Sequence, residues 1–310
     1  MSLRESALVS VVIPTCKRPH LVARAVESAL RQSYSPIEVL VVVDGPDVET
    51  ARALGGIEDA RLRVIVLEEN VGGSDARNLG VREACGEWVA FLDDDDQWMP
   101  EKIEKQVDAA WDVLLRHPVI SSRLRAYGPD GDQVLPRRLY ATGENMGEYL
   151  FCRDSFFYGD GMLQTSTLLA KRSLLCEVPF VSGLKRHQDW DWLLRVAARP
   201  DVEIVMLPEA LTLMRTGGQG ESVSQGTDWK TSLAWAKQVR PTMSAHAYSF
   251  FIATECASRA RKCRAGPFVQ GQLFWEFLWN GRFGLKQFVI FMSFCLLPEN
   301  LRHKLRSLRQ

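Results

Sequence analysis

Long apolar runs are scarce in this chain, and the scarcity excludes more than the composition does. The C-terminal run 288–297 has ten residues, about 15 Å as a helix against the roughly 30 Å of a bilayer core, so it cannot span one. Residues 1–10 carry no apolar stretch of the kind a secretory signal needs. The seven cysteines (16, 85, 152, 176, 256, 263, 295) are odd in number, scattered and without a C-x-x-C. They read as reduced thiols of a cytosolic protein rather than a disulfide framework. No G-x-G-x-x-G follows the first strand, which disfavours a dinucleotide fold, and no G-x-x-x-x-G-K-[ST] appears, which excludes a P-loop enzyme. Net charge is also lacking, at zero overall. Its distribution is uneven: residues 259–310 carry +8 and the first 258 carry −8. That asymmetry suggests an anionic partner near the C-terminus, such as a membrane surface, rather than general nucleic-acid binding.

What the chain does have is alternation. Apolar β-branched segments at 9–13, 39–43, 63–67 and 88–92 read as strands buried on both faces. Between them lie stretches of helical periodicity, with Val22, Val26, Ala29 and Leu30 on one and Ala76 and Leu79 on another. Alternating strands and helices with short connections imply a doubly wound α/β fold with a mostly parallel sheet. Ligands bind such sheets beyond the carboxyl ends of the strands, where Thr15, Asp44 and Asp93 stand.

The densest signal is Asp93-Asp94-Asp95-Asp96, between the fourth strand and a helix expected to open at Pro100. Four adjacent carboxylates repel one another unless a cation neutralises them. On an extended backbone Asp93 and Asp95 point the same way, and with no Cys or His cluster beside them the oxygens suit Mg²⁺ or Mn²⁺. A solvated acidic turn is the plainer alternative. Downstream, 119–127 and 132–135 flank a hairpin-type turn, 163–170 reads as a strand, and 188–199 as a helix with Trp190, Leu193, Leu194 and Ala197 on one face. A further strand is expected at 203–207, and 214–222 reads as a flexible, Gly-rich lid.

In order and spacing, the segments 9–15, 38–45, 73–78, 91–100 and 188–195 resemble the family-2 inverting glycosyltransferases of GT-A fold, over roughly residues 8–225. The resemblance implies a GT-A (Rossmann-like) domain with a nucleotide-sugar-binding half at 1–120, an acceptor-binding half at 121–228 and a helical extension at 229–310. It also implies transfer of a sugar from a nucleoside-diphosphate donor, with inversion. Carried over by position, Pro14, Thr15 and Asp44 would meet the base, with a lean to uracil. Arg77 would face the donor or brace the acidic loop, and Asp94 would reach the ribose. Asp93 and Asp95 would hold Mn²⁺ or Mg²⁺, and Asp189 would be the general base. The family commonly has a His near Thr216; here Arg215 is the remaining cation, a nucleotide-sugar contact in its place.

A nucleotidylyltransferase of similar fold would need glycines in the loop after the first strand, which 14–19 lacks. A non-catalytic sugar-nucleotide-binding protein would not need Asp93, Asp95 and Asp189 together. The expected partners are a nucleotide-sugar donor and a saccharide or lipid-linked acceptor of surface polysaccharide assembly, with no nucleic acid. The expected location is cytoplasmic, peripheral on the inner face of the membrane. In the tail, Leu301, Leu305 and Leu308 form a stripe among Arg302, Lys304, Arg306 and Arg309, suited to a membrane surface or to packing on the protein.

Overall fold

The computed structural model describes residues 7–129, 131–153, 160–217, 228–282 and 284–296. The basic tail 300–310 and the lid residues 218–222 lie outside the described residues. The chain divides into two compact units, one formed by 1–143 with 163–219, the other by 144–162 with 220–310.

The first unit is built on a nine-stranded sheet. Its strands are β1 (Val9–Thr15), β2 (Ile37–Val43), β3 (Leu62–Val66), β4 (Trp88–Phe91), β5 (Asp96–Trp98), β6 (His117–Tyr127), β7 (Gln133–Leu135), β8 (Leu169–Lys171) and β9 (Val202–Arg215). They lie in the order β3-β2-β1-β4-β8-β6-β9-β5, with β7 on β6. Six strands run one way, and the three-residue β5, β7 and β8 run against them, so the sheet is mostly parallel.

Helices α1 (Pro19–Leu30), α2 (Val48–Gly55), α3 (Gly73–Glu83) and α4 (Lys102–Trp111) follow β1, β2, β3 and β5. Both faces of β1 are covered, which is why it is apolar throughout. Val9, Val11 and Ile13 join a core with Val22, Ala25, Val26 and Ala29 of α1. On the opposite face Val12 sits so near Gly80 of α3 that a Cβ there would fall 2.4 Å from a valine methyl. Parallel strands covered in this way put all their carboxyl ends on one rim.

Three expectations change. The chain at 163–170 is mostly not a strand: a 3₁₀ turn at Thr165–Thr167 precedes β8. The hydroxyls of Ser166 and Thr167 bond other segments instead of lying on a pleat. Met214 and Arg215 end β9, which is far longer than 203–207, rather than opening a loop. The residue following Pro100 caps α4 instead of standing inside it.

After α5 (Met146–Phe151), α6 (Arg172–Glu177) and α7 (Gln188–Ala197) the helices belong to the second unit, as α5 itself does. They are α8 (Trp229–Gln238), α9 (Ala245–Phe251), α10 (Ala257–Lys262), α11 (Pro267–Asn280) and α12 (Leu285–Leu296). A π turn, Ile252–Cys256, joins α9 to α10. Phe151 packs edge-on against Phe251 at 5.1 Å and against Trp235 at 6.4 Å.

Candidate active site

The acidic loop leaves β4 and turns at once; Asp96 donates its backbone N–H to the Asp93 carbonyl at 3.1 Å. The backbone at Asp94 and Asp95 is therefore a turn, not the extended chain expected from alternation. The four carboxylates separate by environment. Asp93 and Asp95 keep side-chain exposures of 25% and 50%, whereas Asp94 and Asp96 are buried.

Asp96 accepts from Ser166 Oγ at 2.6 Å and from Gln164 Nε2 at 2.8 Å. Burial, with the Asp93 charge added, pushes its carboxyl up to about 8. Asp94 accepts from Thr15 Oγ1 at 2.7 Å and from Arg18 Nη1 at 3.0 Å, and burial raises it to about 6. Arg18 Nη1 also reaches Asp95 at 3.2 Å. Asp95 is raised by burial and by Asp93.

Arg77, on the inward side of α3, donates to Asp93 at 2.5 Å and to Gln188 Oε1 at 2.8 Å. Gln188 opens α7, so one guanidinium ties the start of that helix to the acidic loop. Asp189 follows in its first turn, where the helix dipole favours negative charge. Although one edge of it meets solvent, protein surrounds Asp189, and this burial raises its carboxyl to about 6; the Trp190 N–H and the Arg77 charge oppose the rise. His187 before it holds φ 60°, a left-handed conformation uncommon outside glycine, and its ring stacks on Trp190 at 4.8 Å. Asp191 is engaged elsewhere, accepting from Arg195 Nε at 2.8 Å.

Asp44 stands apart from this network. Its carboxylate accepts from the N–H groups of Val71 at 2.7 Å and Gly72 at 2.9 Å, fixing the loop before α3. The next residue, Gly45, needs φ +103°, a conformation glycine tolerates best. Pro14 and Thr15 end β1, so the expected base-binding residues do share the rim. Arg215 ends β9 one residue beyond Met214, which pairs with Asp96. It lines a cleft of about 370 Å³ with Arg24, Tyr127, Gly128, Pro129, Thr216 and Gly217. Among the described residues no hydrogen bond or ion pair joins Arg215 to the acidic loop.

Sequence reasoning missed Arg18, Gln164 and Ser166. The available signal was the polar string Gln164-Thr165-Ser166-Thr167 inside a segment read as buried strand.

For a divalent ion, the donor set fits at Asp93 and Asp95: partly exposed carboxylates with no thiol or imidazole bonded to them, Asp93 accepting from Arg77 and, at 3.3 Å, from Gln164 Nε2. Arg18 is the competitor it would displace from Asp95. Among the described residues, the one group of three metal-type ligands lies elsewhere: His117, Glu177 and Asp201. His117 starts β6, at the end of the sheet opposite the acidic rim. There the carboxylates are already held by Arg116 and Arg199.

A mostly parallel sheet with a carboxylate-rich rim and a helix-borne acid beside it defines a GT-A glycosyltransferase fold. Solved structures share it, among them the following two. The chain superimposes on S. aureus TarS 1–349 in complex with UDP-GlcNAc with a TM-score of 0.59 at 18% identity, covering 89% of this chain and 82% of that one. It matches the mannosyltransferase PcManGT of Pyrobaculum calidifontis, in complex with GDP-Man and Mn²⁺, with a TM-score of 0.56 at 16% identity, covering 97% and 79%.

The chain belongs to glycosyl transferase family 2, whose model matches residues 10–175. It is 28% identical over 248 residues to the amylovoran biosynthesis glycosyltransferase AmsB of Erwinia amylovora, covering 76% of this chain and 78% of that protein. A shorter match, 40% over 103 residues, is to the putative teichuronic acid biosynthesis glycosyltransferase TuaG of Bacillus subtilis (33% and 41% covered). Another, 33% over 100 residues, is to the UDP-Glc:α-D-GlcNAc-diphosphoundecaprenol β-1,3-glucosyltransferase WfgD of Escherichia coli (32% and 40% covered).

Proposed function

We propose that the protein transfers a sugar, with inversion, from a nucleoside-diphosphate donor to a hydroxyl of a saccharide or lipid-linked acceptor in surface polysaccharide assembly. The observation that carries this reading is the line Asp93–Arg77–Gln188, which fixes the α7 start bearing Asp189 against the acidic loop. An inverting displacement needs a base on one side of the sugar and charge stabilisation of the departing diphosphate on the other. Asp189, its carboxyl near 6, would take the acceptor hydroxyl proton as that oxygen bonds to the anomeric carbon and the bond to the diphosphate oxygen breaks.

Mn²⁺ or Mg²⁺ bound at Asp93 and Asp95 would supply positive charge toward the diphosphate. Arg77 holds Asp93 in place for this, and Arg18 would keep its bond to Asp94 once the ion takes its place on Asp95. Pro14, Thr15 and Asp44 would line the base, Asp94 the ribose, and Arg215 the donor phosphates. A uridine diphosphate donor is favoured by the name of WfgD and by the UDP-GlcNAc in the TarS structure. The names of AmsB, TuaG and WfgD support polysaccharide assembly and an acceptor on a lipid diphosphate. Such an acceptor would call for a peripheral enzyme at the inner face of the membrane. A panel of UDP-, GDP- and dTDP-sugars, assayed for metal-dependent hydrolysis and transfer, tests the reading; no turnover with any of them would overturn it.

A further inference from the structure

Helices α11 and α12 each fill one face by packing and leave an apolar face open. In α11, Leu273 and Phe277 are buried, and Phe274 and Phe277 meet Phe291 of α12 at 5.4 and 5.6 Å. Phe268, Trp275 and Trp279, the latter two seven and eleven positions after the first, fall within about 40° of one another on the opposite side of the helix. Their exposures are 76%, 59% and 72%, and the two indoles stack at 4.9 Å. In α12, Leu285 and Val289 sit one turn apart and are likewise exposed, opposite the buried Gln287, Ile290 and Phe291. Exposed aromatic and aliphatic side chains gathered on one side of a helix, with the other side covered by its own protein, call for a second cover.

Charge selects the cover. The exposed charged residues of described positions 257–296 are Arg261, Lys262, Arg264 and Arg282, all basic. The acidic residue of that stretch, Glu276, is already bonded to Tyr248 and Asn280 and paired with Lys237. A second copy meeting this face about a two-fold axis would bring the same positive charges together. An anionic lipid leaflet offers the complementary charge, with an interface where tryptophan rings settle. At twelve residues α12 is about 18 Å long, too short to cross, so it would lie on the surface. Among the described residues no helix is long and apolar enough to span.

We propose that α11 and α12 form a membrane-docking surface, seating Phe268, Trp275, Trp279, Leu285 and Val289 in an anionic leaflet, with the exposed Arg261, Lys262, Arg264 and Arg282 of the same unit supplying the positive charge. This deepens the membrane attachment read above, but it requires nothing of the acidic loop.

The test is co-sedimentation of the full chain with vesicles of phosphatidylglycerol and phosphatidylcholine, and of phosphatidylcholine alone, with light scattering for oligomeric state. Wild type should bind the anionic vesicles and be released by high salt. Trp275→Ser with Trp279→Ser should weaken binding at least about tenfold, from the lost interfacial burial of two indoles. Arg261→Gln with Lys262→Gln and Arg264→Gln should weaken it roughly 10²-fold, at about 1 kcal/mol per charge. All five are surface changes, so circular dichroism melts should match wild type. Absence of wild-type binding, or binding unchanged in the indole variant, would overturn the proposal. A wild-type dimer that the indole variant converts to a monomer, without vesicle binding, would assign the face to a second copy instead. Vesicle binding without sugar-nucleotide turnover would leave the docking surface standing and sink the enzymatic reading.

Discussion

Asp189 is ionised at neutral pH yet basic enough to take a proton, because burial holds its carboxyl near 6. Replacing it by Asn keeps the shape and the Trp190 contact but removes the basicity. Asp189→Asn should lower transfer roughly 10²–10⁴-fold while calorimetry finds donor binding unchanged. The sign of the pH dependence follows from the same value. If the ionised form acts as the base, as proposed, the transfer rate should fall on acidification below about pH 6 and level off above it; a rate flat from pH 5 to 8 would move the role elsewhere. Arg18 gives a second test, with a readout independent of turnover. It bridges Asp94 and Asp95 where a divalent ion would compete. Arg18→Met should melt lower than wild type in chelator, and Mn²⁺ should restore more of its melting temperature than it adds to wild type. The Asp93–Asp96 run was legible in sequence because like charges so close demand a cation. Arg18 was not legible, because an arginine three residues beyond a strand is ordinary until the fold brings it to residue 94.

At the level of elements, apolar runs buried on both faces declared themselves. β1, β2 and β4 lie where β-branched content placed them, and so do α1 and α3 by their periodicity. The failure at 163–170 has a physical source. Leu163, Leu168, Leu169 and Ala170 are all buried, so burial looked like strand, while Gln164, Ser166 and Thr167 use their polar groups to bond Asp96, Ser121 and the 164 carbonyl. A short polar turn buried under a sheet has no period that a sequence reveals. The α3–β1 contact supplies a stability test. Alanine at Gly80 gains about 1 kcal/mol of helix propensity. Its Cβ, however, would stand 2.4 Å from a methyl of fully buried Val12, whose β-branched side chain cannot rotate away. The clash should win, so Gly80→Ala should cost about 1–3 kcal/mol in denaturant unfolding. Val12→Ala in the same chain should recover part of that loss; an alanine variant as stable as wild type would mean that α3 lies farther from the sheet.

Over the whole molecule, charge is what couples binding to stability. The acidic rim gathers Asp93, Asp94, Asp95 and Asp96, answered by the guanidinium groups of Arg18 and Arg77, with burial lifting the carboxyls of Asp94, Asp95 and Asp96. A nucleoside diphosphate brought there alone adds negative charge to an anionic rim and should bind weakly. Together with Mn²⁺ it completes the neutralisation, and a ligand that binds only the folded state stabilises it by mass action. At a hundredfold excess over its dissociation constant that is about 2.7 kcal/mol, and at about 2–4 °C per kcal/mol for a unit of this size the melting temperature should rise about 5–10 °C. Uridine diphosphate with Mn²⁺ should give this shift by differential scanning fluorimetry, and uridine diphosphate with chelator should give almost none. Asp95→Ala should remove the metal-dependent part while leaving the ligand-free melting temperature within a few degrees, since Asp95 is half-exposed and pairs with the partly exposed Arg18. An equal shift with and without metal would show that the arginines alone hold the diphosphate, and that the acidic loop serves the fold rather than the donor.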